Sequence, residues 1–236
     1  MYQEHSTNVP VGARFDLYVK AASDGESLGD CPFCHYVQMY AKSLGITDDQ
    51  FRIHFVDTTS KPESFMKLNE KGTVPVLVDN QTKRTFTESA DIAKHFQEQF
   101  PGSDPLAGYS GPDKAFFGVV LAKLGKLLKN KEEHHDSEKC KSELYGQLKT
   151  INDYLEQSKA DRKGKYLAGE HVSELDCVFM PRLRHVVVAG GHYEGLSIEE
   201  FPALKEYLDN ALSCNEFTST CCVEGEIVKG WERHRK

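Results

Sequence analysis

The chain has 236 residues, of which 39% are hydrophobic and 28% charged, so it can bury one large hydrophobic core or two smaller ones. Its 29 basic and 36 acidic side chains give a formal charge of −7, which provides no bulk attraction for nucleic acid or anionic membranes. No run of 18 apolar residues occurs, so the sequence predicts no membrane-spanning helix.

The first residues, MYQEHSTNVPVGARF, lack the apolar run of a signal peptide and the Arg-rich pattern of a transit peptide. We therefore expect a cytoplasmic protein, with an organellar form made from a longer precursor left open. The chain holds seven cysteines. An odd number of cysteines in a chain with a full-size core argues against a disulfide scaffold, so reduced thiols are expected.

The first hundred residues alternate strand-like and helix-like patterns. In chain order they predict a strand over 15–19, a helix from Pro32 towards Gly45, strands over 52–57 and 74–78, a hairpin through 79–81 to a strand over 84–86, and a helix over 88–100. The apolar side chains of the first helix share one face and comprise Phe33, Val37, Tyr40 and Leu44. The order β-α-β, then β-β-α, is that of a thioredoxin-like domain.

Residues 101–113 are rich in proline and glycine and are predicted to form a linker. Beyond them, helical patterns cover 115–128, 138–155, 174–189 and 201–211. Ser173 and Asp176 have the spacing of a helix-capping box. Pro181 lies within the predicted helix over 174–189 and should bend it. The sequence thus predicts an α/β thioredoxin-like domain over 1–100 and an all-α domain over 114–236.

The Cys31-Pro-Phe-Cys34 motif lies at the start of the first predicted helix. Cys31 would occupy the helix N-cap, where unpaired N–H groups and the helix dipole favour a thiolate. Cys34 is one turn along, close enough to form a disulfide, and is the candidate resolving thiol. The alternatives are half of a zinc site and a purely structural cysteine pair. No second CxxC follows, so no metal is expected.

Two further motifs suit a peptide ligand. Val74-Pro75 enters a predicted central strand, which is sensible if the bond is cis and Val74 turns its N–H and C=O towards the ligand. Glu88-Ser89 opens a helix, where Glu88 can bind an ammonium and the helix start a carboxylate. An edge-strand proline and a simple helix cap are the alternatives. Together with Cys31, the motifs predict a glutathione site.

These motifs resemble the glutathione transferase fold, and most closely the dehydroascorbate reductases of plants and algae. The matching stretches are Val19–Ala22, Leu28–Phe33, Lys61–Phe65, Gly72–Val76, Asn152–Tyr154, Gly191–Tyr193 and Ile227–Trp231. The resemblance implies that dehydroascorbate and two glutathiones give ascorbate and glutathione disulfide, with Cys31 as the catalytic nucleophile. It further implies a substrate site at Lys20 and Asp30. The glutathione-binding residues that it implies are Phe33, Lys61, Val74, Pro75, Glu88 and Ser89.

The sequence departs from that family at two positions: Cys34 stands where serine is usual, and Thr73 where lysine is common. The rival interpretations are a chloride intracellular channel-like protein, an omega-like or glutaredoxin-like thiol transferase, and a non-enzymatic interaction protein that has kept the fold. Charged residues after the motif, such as Lys42 and Asp48, argue against membrane insertion. No large apolar dimer face is indicated, so we expect a monomer.

Overall fold

The computed structural model describes residues 12–102, 106, 109–129 and 137–235. Residues 1–11, on which the absence of a leader was argued, and part of the predicted linker lie outside the described residues. The chain divides into two compact units, Met1–Gly102 and Ser103–Lys236.

The first unit is a four-stranded mixed sheet with helices. Its strands are β1 (Phe15–Lys20), β2 (Phe51–Val56), β3 (Val76–Asp79) and β4 (Arg84–Phe86), in the order β2-β1-β3-β4. Its helices are α1 (Pro32–Ser43), α2 (Glu63–Leu68) and α3 (Ser89–Gln99), with a 3-10 turn at Asp48–Gln50. β1 pairs with β2 in parallel and with β3 antiparallel. The predicted thioredoxin-like plan is confirmed.

Both faces of β1 contact apolar side chains, as the alternation of a strand requires. Phe15 lies on one face, where its ring centroid is 5.4 Å from that of Phe96 in α3. Tyr18 lies on the other face and packs against the buried cluster of Val56, Phe65 and Val76. Phe65 belongs to α2, so a helix that the sequence analysis missed covers this face.

A buried carboxylate, Asp79, ends β3. It accepts hydrogen bonds from Arg14 Nη2 at 2.9 Å, from His95 Nε2 at 2.8 Å and from the Gln81 N–H at 2.8 Å. Burial opposes ionisation, but the bonds from Arg14 and His95 hold the Asp79 pKa well below its usual range. The sequence pattern placed Asp79 in a hairpin turn. That assignment was wrong, because the residue is the last of β3.

The second unit is helical over its described residues. Its helices are α4 (Lys114–Leu128), α5 (Ser137–Gln157), α6 (Glu174–His185), α7 (Gly191–Glu194), α8 (Pro202–Ser213), α9 (Asn215–Thr218) and α10 (Glu224–Arg235), with a π-helical turn at Val186–Gly190. The predicted capping box at Ser173 and Asp176 is present. α10 was not predicted; Trp231 Nε1 donates to His185 Nδ1 at 2.9 Å and anchors it to α6.

Within the described residues, no helix has both the length and the apolar character that a bilayer span needs. In the same part of the chain, no three His, Cys, Asp or Glu side chains cluster as metal ligands would.

Candidate active site

The loop before α1 folds back onto the end of β1. The Gly29 N–H donates to the Lys20 carbonyl at 2.8 Å, and the Ala22 N–H donates to the Ser27 carbonyl at 2.9 Å. A side chain at Gly29 would collide with the Ala21 carbonyl, so only glycine permits this close approach. The loop therefore brings the residues after Gly29 back to the strand end.

Cys31 is the N-cap residue of α1 and Pro32 is its first helical residue, as predicted. A hydrogen bond from the Cys34 side chain makes the largest contribution to lowering the Cys31 pKa, and the N–H groups of Cys34 and Phe33 and the charge of Lys20 lower it further. Burial opposes these effects without cancelling them. The geometry therefore favours a thiolate at Cys31.

Cys34 differs from Cys31 in both exposure and acidity. Cys34 is only 3% exposed. Its burial makes the largest contribution to raising the pKa of its thiol well above the ordinary value, and the hydrogen bond and charge of the neighbouring Cys31 raise that pKa further. Both cysteines are free thiols. Cys34 is thus a protonated donor, facing a sulfur that is more easily ionised.

Lys20 and Asp30 form an ion pair beside the nucleophile. Lys20 Nζ lies 2.6 Å from Asp30 Oδ1, and both side chains are largely buried. Lys20 is the last residue of β1, and Asp30 directly precedes Cys31. The two residues predicted for the substrate site therefore contact each other.

The Val74–Pro75 peptide bond is cis, as the sequence interpretation required. Cys31 Sγ lies 3.9 Å from the Val74 carbonyl oxygen. Within residues 12–102, no protein group accepts a hydrogen bond from the Val74 N–H. β3 begins at Val76 rather than at the predicted Val74, because the residues at the cis bond lie outside the ladder.

The buried Asn69, which was not predicted as a site residue, fixes the loop before this bond. Its Nδ2 donates to the carbonyl and hydroxyl oxygens of Thr73 at 2.9 Å each. Its Oδ1 accepts from the Lys71 N–H at 3.2 Å. The residue has no periodic signal in the sequence, since its partners all lie in the same irregular loop.

Glu88 is the N-cap residue of α3 and Ser89 is its first residue, so the predicted helix begins one residue later than expected. The Glu88 carboxylate pairs with Lys71 Nζ at 3.1 Å, a partner that the sequence analysis missed. This corner is connected to Cys31 through the loop that leads from Lys71 into Val74.

Two other predicted residues are Lys61, in the loop before α2, and Phe33, in the first turn of α1. Lys61 runs over the backbone of Gly72, where an added Cβ would lie 2.9 Å from its Nζ. Phe33 is 40% exposed. Its predicted place on the apolar face of the first helix was therefore wrong, because the second residue of the helix points away from the core.

The chain is similar to known proteins over most of its length. A family model described as glutathione S-transferase, N-terminal domain, matches residues 27–104. Glutathione S-transferase DHAR3, chloroplastic, of Arabidopsis thaliana is 30% identical and aligns over 95% of this chain and 82% of its own length. Probable glutathione S-transferase DHAR2, chloroplastic, of Oryza sativa subsp. japonica is 26% identical over 87% and 71%.

Solved structures agree with these relatives. The dehydroascorbate reductase of Chlamydomonas reinhardtii matches with a TM-score of 0.82 and 27% identity, over 93% of this chain and 98% of that one. The CLIC homologue EXC-4 of C. elegans matches with a TM-score of 0.69 and 24% identity, over 93% and 85%. The latter likeness concerns the fold alone.

Proposed function

The chain belongs to the glutathione S-transferase family, and from that premise we propose that it reduces dehydroascorbate to ascorbate with two molecules of glutathione. The family resemblance read from the sequence is confirmed, and the family uses glutathione as its co-substrate. One observation carries the proposal: a cysteine with a lowered pKa lies at a helix N-cap, 3.9 Å from the Val74 carbonyl. The names of the relatives point to the same reaction.

The chemistry proceeds in three steps under this proposal. The Cys31 thiolate adds to a carbonyl carbon of dehydroascorbate. The sulfur of a first glutathione attacks Cys31 Sγ, the carbon–sulfur bond breaks, and its electron pair passes to the ring, which leaves as ascorbate. A second glutathione attacks the resulting mixed disulfide, releasing glutathione disulfide and the thiolate. The two glutathione thiols supply the two protons that ascorbate gains.

The surrounding charges suit this cycle. Lys20 lowers the Cys31 pKa and can polarise the carbonyl under attack, while Asp30 holds the lysine in place. The Val74 N–H, which has no acceptor within residues 12–102, and the second lone pair of the Val74 carbonyl can pair with the cysteinyl backbone of glutathione. Lys61 and the Glu88-Ser89 corner have the right charges for the two ends of the tripeptide.

The test is glutathione-dependent reduction of dehydroascorbate by the purified chain, followed at the ascorbate absorbance. Cys31→Ser should abolish turnover, because a hydroxyl is not ionised near neutral pH. Circular dichroism and the unfolding midpoint should stay at wild-type values. Substantial activity in a folded Cys31→Ser protein would remove this residue from the mechanism.

A thiol transferase acting on glutathionylated proteins is the second candidate. The observation that favours it is Cys34, buried and hydrogen-bonded to Cys31, as a dithiol mechanism would need. Comparing kcat/KM for dehydroascorbate and for a glutathionylated peptide decides between the two. A channel-like function is tested by liposome insertion, where we expect none.

Location and assembly stay predictions. We expect a cytoplasmic monomer, whereas two of the relatives are chloroplastic by name. Imaging of the tagged chain in cells separates the cytoplasmic from the organellar form. Light scattering on the purified protein measures its oligomeric state.

A further inference from the structure

The ion pair between Lys71 and Glu88 stands at the corner where the γ-glutamyl end of glutathione is expected. Lys71 Nζ lies 3.1 Å from Glu88 Oε1, and the two side chains are 70% and 59% exposed. An exposed pair of this kind contributes little to stability, because water and salt screen it. Its charges stay accessible to a ligand from solvent.

The backbone below Lys71 is nevertheless held firmly. The Lys71 N–H donates to the side chain of Asn69, which is 5% exposed and also binds Thr73 twice. The same loop leads into Val74, whose carbonyl lies 3.9 Å from Cys31 Sγ. A fixed backbone with an exposed ammonium suits a residue that positions a ligand relative to the nucleophile.

The γ-glutamyl group carries an ammonium and a carboxylate on one carbon atom. The protein offers the complementary arrangement, a carboxylate and an ammonium side by side. A ligand laid across this pair places its ammonium at Glu88 and its carboxylate at Lys71, so that each charge has a neighbour of opposite sign. The N-terminal N–H groups of α3, which begins at Ser89, reinforce the carboxylate site.

We propose that Lys71 is a specificity-determining residue that binds the α-carboxylate of the γ-glutamyl group, with Glu88 binding its ammonium. The inference rests on the proposed use of glutathione and deepens it. The two carboxylates of the tripeptide then have separate lysines. Lys61, whose ammonium has no carboxylate partner within residues 12–102, takes the glycine end.

Binding of a non-reactive ligand tests this assignment without turnover. S-methylglutathione is titrated calorimetrically into wild type, Lys71→Met and the matched control Lys67→Met. Lys67 is also exposed and paired, 2.9 Å from Glu63, but lies outside the loop. Lys71→Met should weaken binding about five- to tenfold, and Lys67→Met should leave it unchanged.

A second ligand separates binding from a structural effect. This ligand is S-methylglutathione with a 4-aminobutyryl group in place of the γ-glutamyl group. The replacement removes the α-carboxylate and keeps the ammonium. Wild type should bind this analogue at least as weakly as Lys71→Met binds S-methylglutathione, because the N–H groups of α3 lose their acceptor as well as Lys71, and Lys71→Met should weaken binding of the analogue no further. Unchanged or tighter S-methylglutathione binding by Lys71→Met would overturn the inference, as would equal losses for both ligands.

The outcomes also distinguish this inference from the proposed reaction. If the contrast between the ligands holds but dehydroascorbate is not reduced, the reaction is wrong and the Lys71 assignment stands. If dehydroascorbate is reduced and Lys71→Met binds as wild type does, only the Lys71 assignment fails. If wild type does not bind S-methylglutathione, the Lys71 assignment fails, and the dehydroascorbate assay alone decides on the reaction.

Discussion

A Cys34→Ala substitution removes the side-chain donor that contributes most to the lowered Cys31 pKa. The backbone N–H groups and the charge of Lys20 remain, so the Cys31 pKa should rise without losing every favourable contribution. A hydrogen bond to a charged group contributes ~1.5–3 kcal/mol, and a thiol is a weak donor, so we take the low end of that range. Losing ~1.5 kcal/mol corresponds to an about tenfold lower thiolate fraction of Cys31 at pH values below the wild-type titration midpoint.

The reaction rate should fall by less than the thiolate fraction. A more basic thiolate is a better nucleophile, with a Brønsted coefficient of ~0.4–0.5, so the tenfold loss becomes an about three- to fourfold slower alkylation. At high pH the order reverses, because both proteins are ionised and the variant thiolate is the more nucleophilic. A full pH profile is therefore needed rather than a rate at one pH.

The assay is iodoacetamide alkylation from about pH 5 to 9, measured on the peptide that contains Cys31 by mass spectrometry. Cys34→Ser is the matched control, since its hydroxyl can donate to the same sulfur and should keep the midpoint near that of wild type. An unchanged midpoint in Cys34→Ala would refute the assignment of Cys34 as the donor. An equal shift in both variants would refute it as well.

Three further predictions concern charge, stability and oxidation. Lys20→Met should raise the Cys31 pKa, because it removes a positive charge that stabilises the thiolate and leaves the Asp30 carboxylate without its partner; the alkylation profile should move to higher pH, and an unchanged profile would contradict this. Asp79→Asn should lower the free energy of unfolding by about 3 kcal/mol at neutral pH, because buried donors lose their charged acceptor. Since the folded-state pKa of Asp79 is lowered, the wild-type advantage in urea unfolding should be present above about pH 4 and disappear as the pH falls through that pKa, and parallel pH curves would contradict it. Cys34→Ser should change turnover by less than about twofold, while dithiothreitol should restore peroxide-treated wild type better than the variant; complete loss of turnover would contradict this.

The sequence predicted elements whose signals are local. Alternation identified β1, Pro32 marked the start of α1, and Gly45, with a φ of 76°, follows its end as expected. The cis bond before Pro75 was also anticipated, because a proline cannot donate a hydrogen bond to the ladder of a central strand. Each inference needed only a few neighbouring residues.

The elements that it missed depend on tertiary contacts. α2 spans only Glu63–Leu68, too few residues to show a helical period. α10 is mostly polar and is held by Trp231 through a bond to His185. Lys71 was missed as a site residue for the same reason, because its ion pair with Glu88 joins a loop to the start of a helix 17 residues away.

The opposite pKa shifts of the two thiols bear on which sulfur resolves the mixed disulfide. Thiol–disulfide exchange needs a thiolate, and burial, followed by the neighbouring Cys31, raises the Cys34 pKa. Once Cys31 is bonded to glutathione, its charge no longer opposes ionisation of Cys34, but burial, the larger cause, remains. A glutathione thiol arriving from solvent has no such penalty. We therefore expect a second glutathione to complete ordinary turnover, and Cys34 to attack only when glutathione is scarce, which is why its replacement should affect oxidation more than rate.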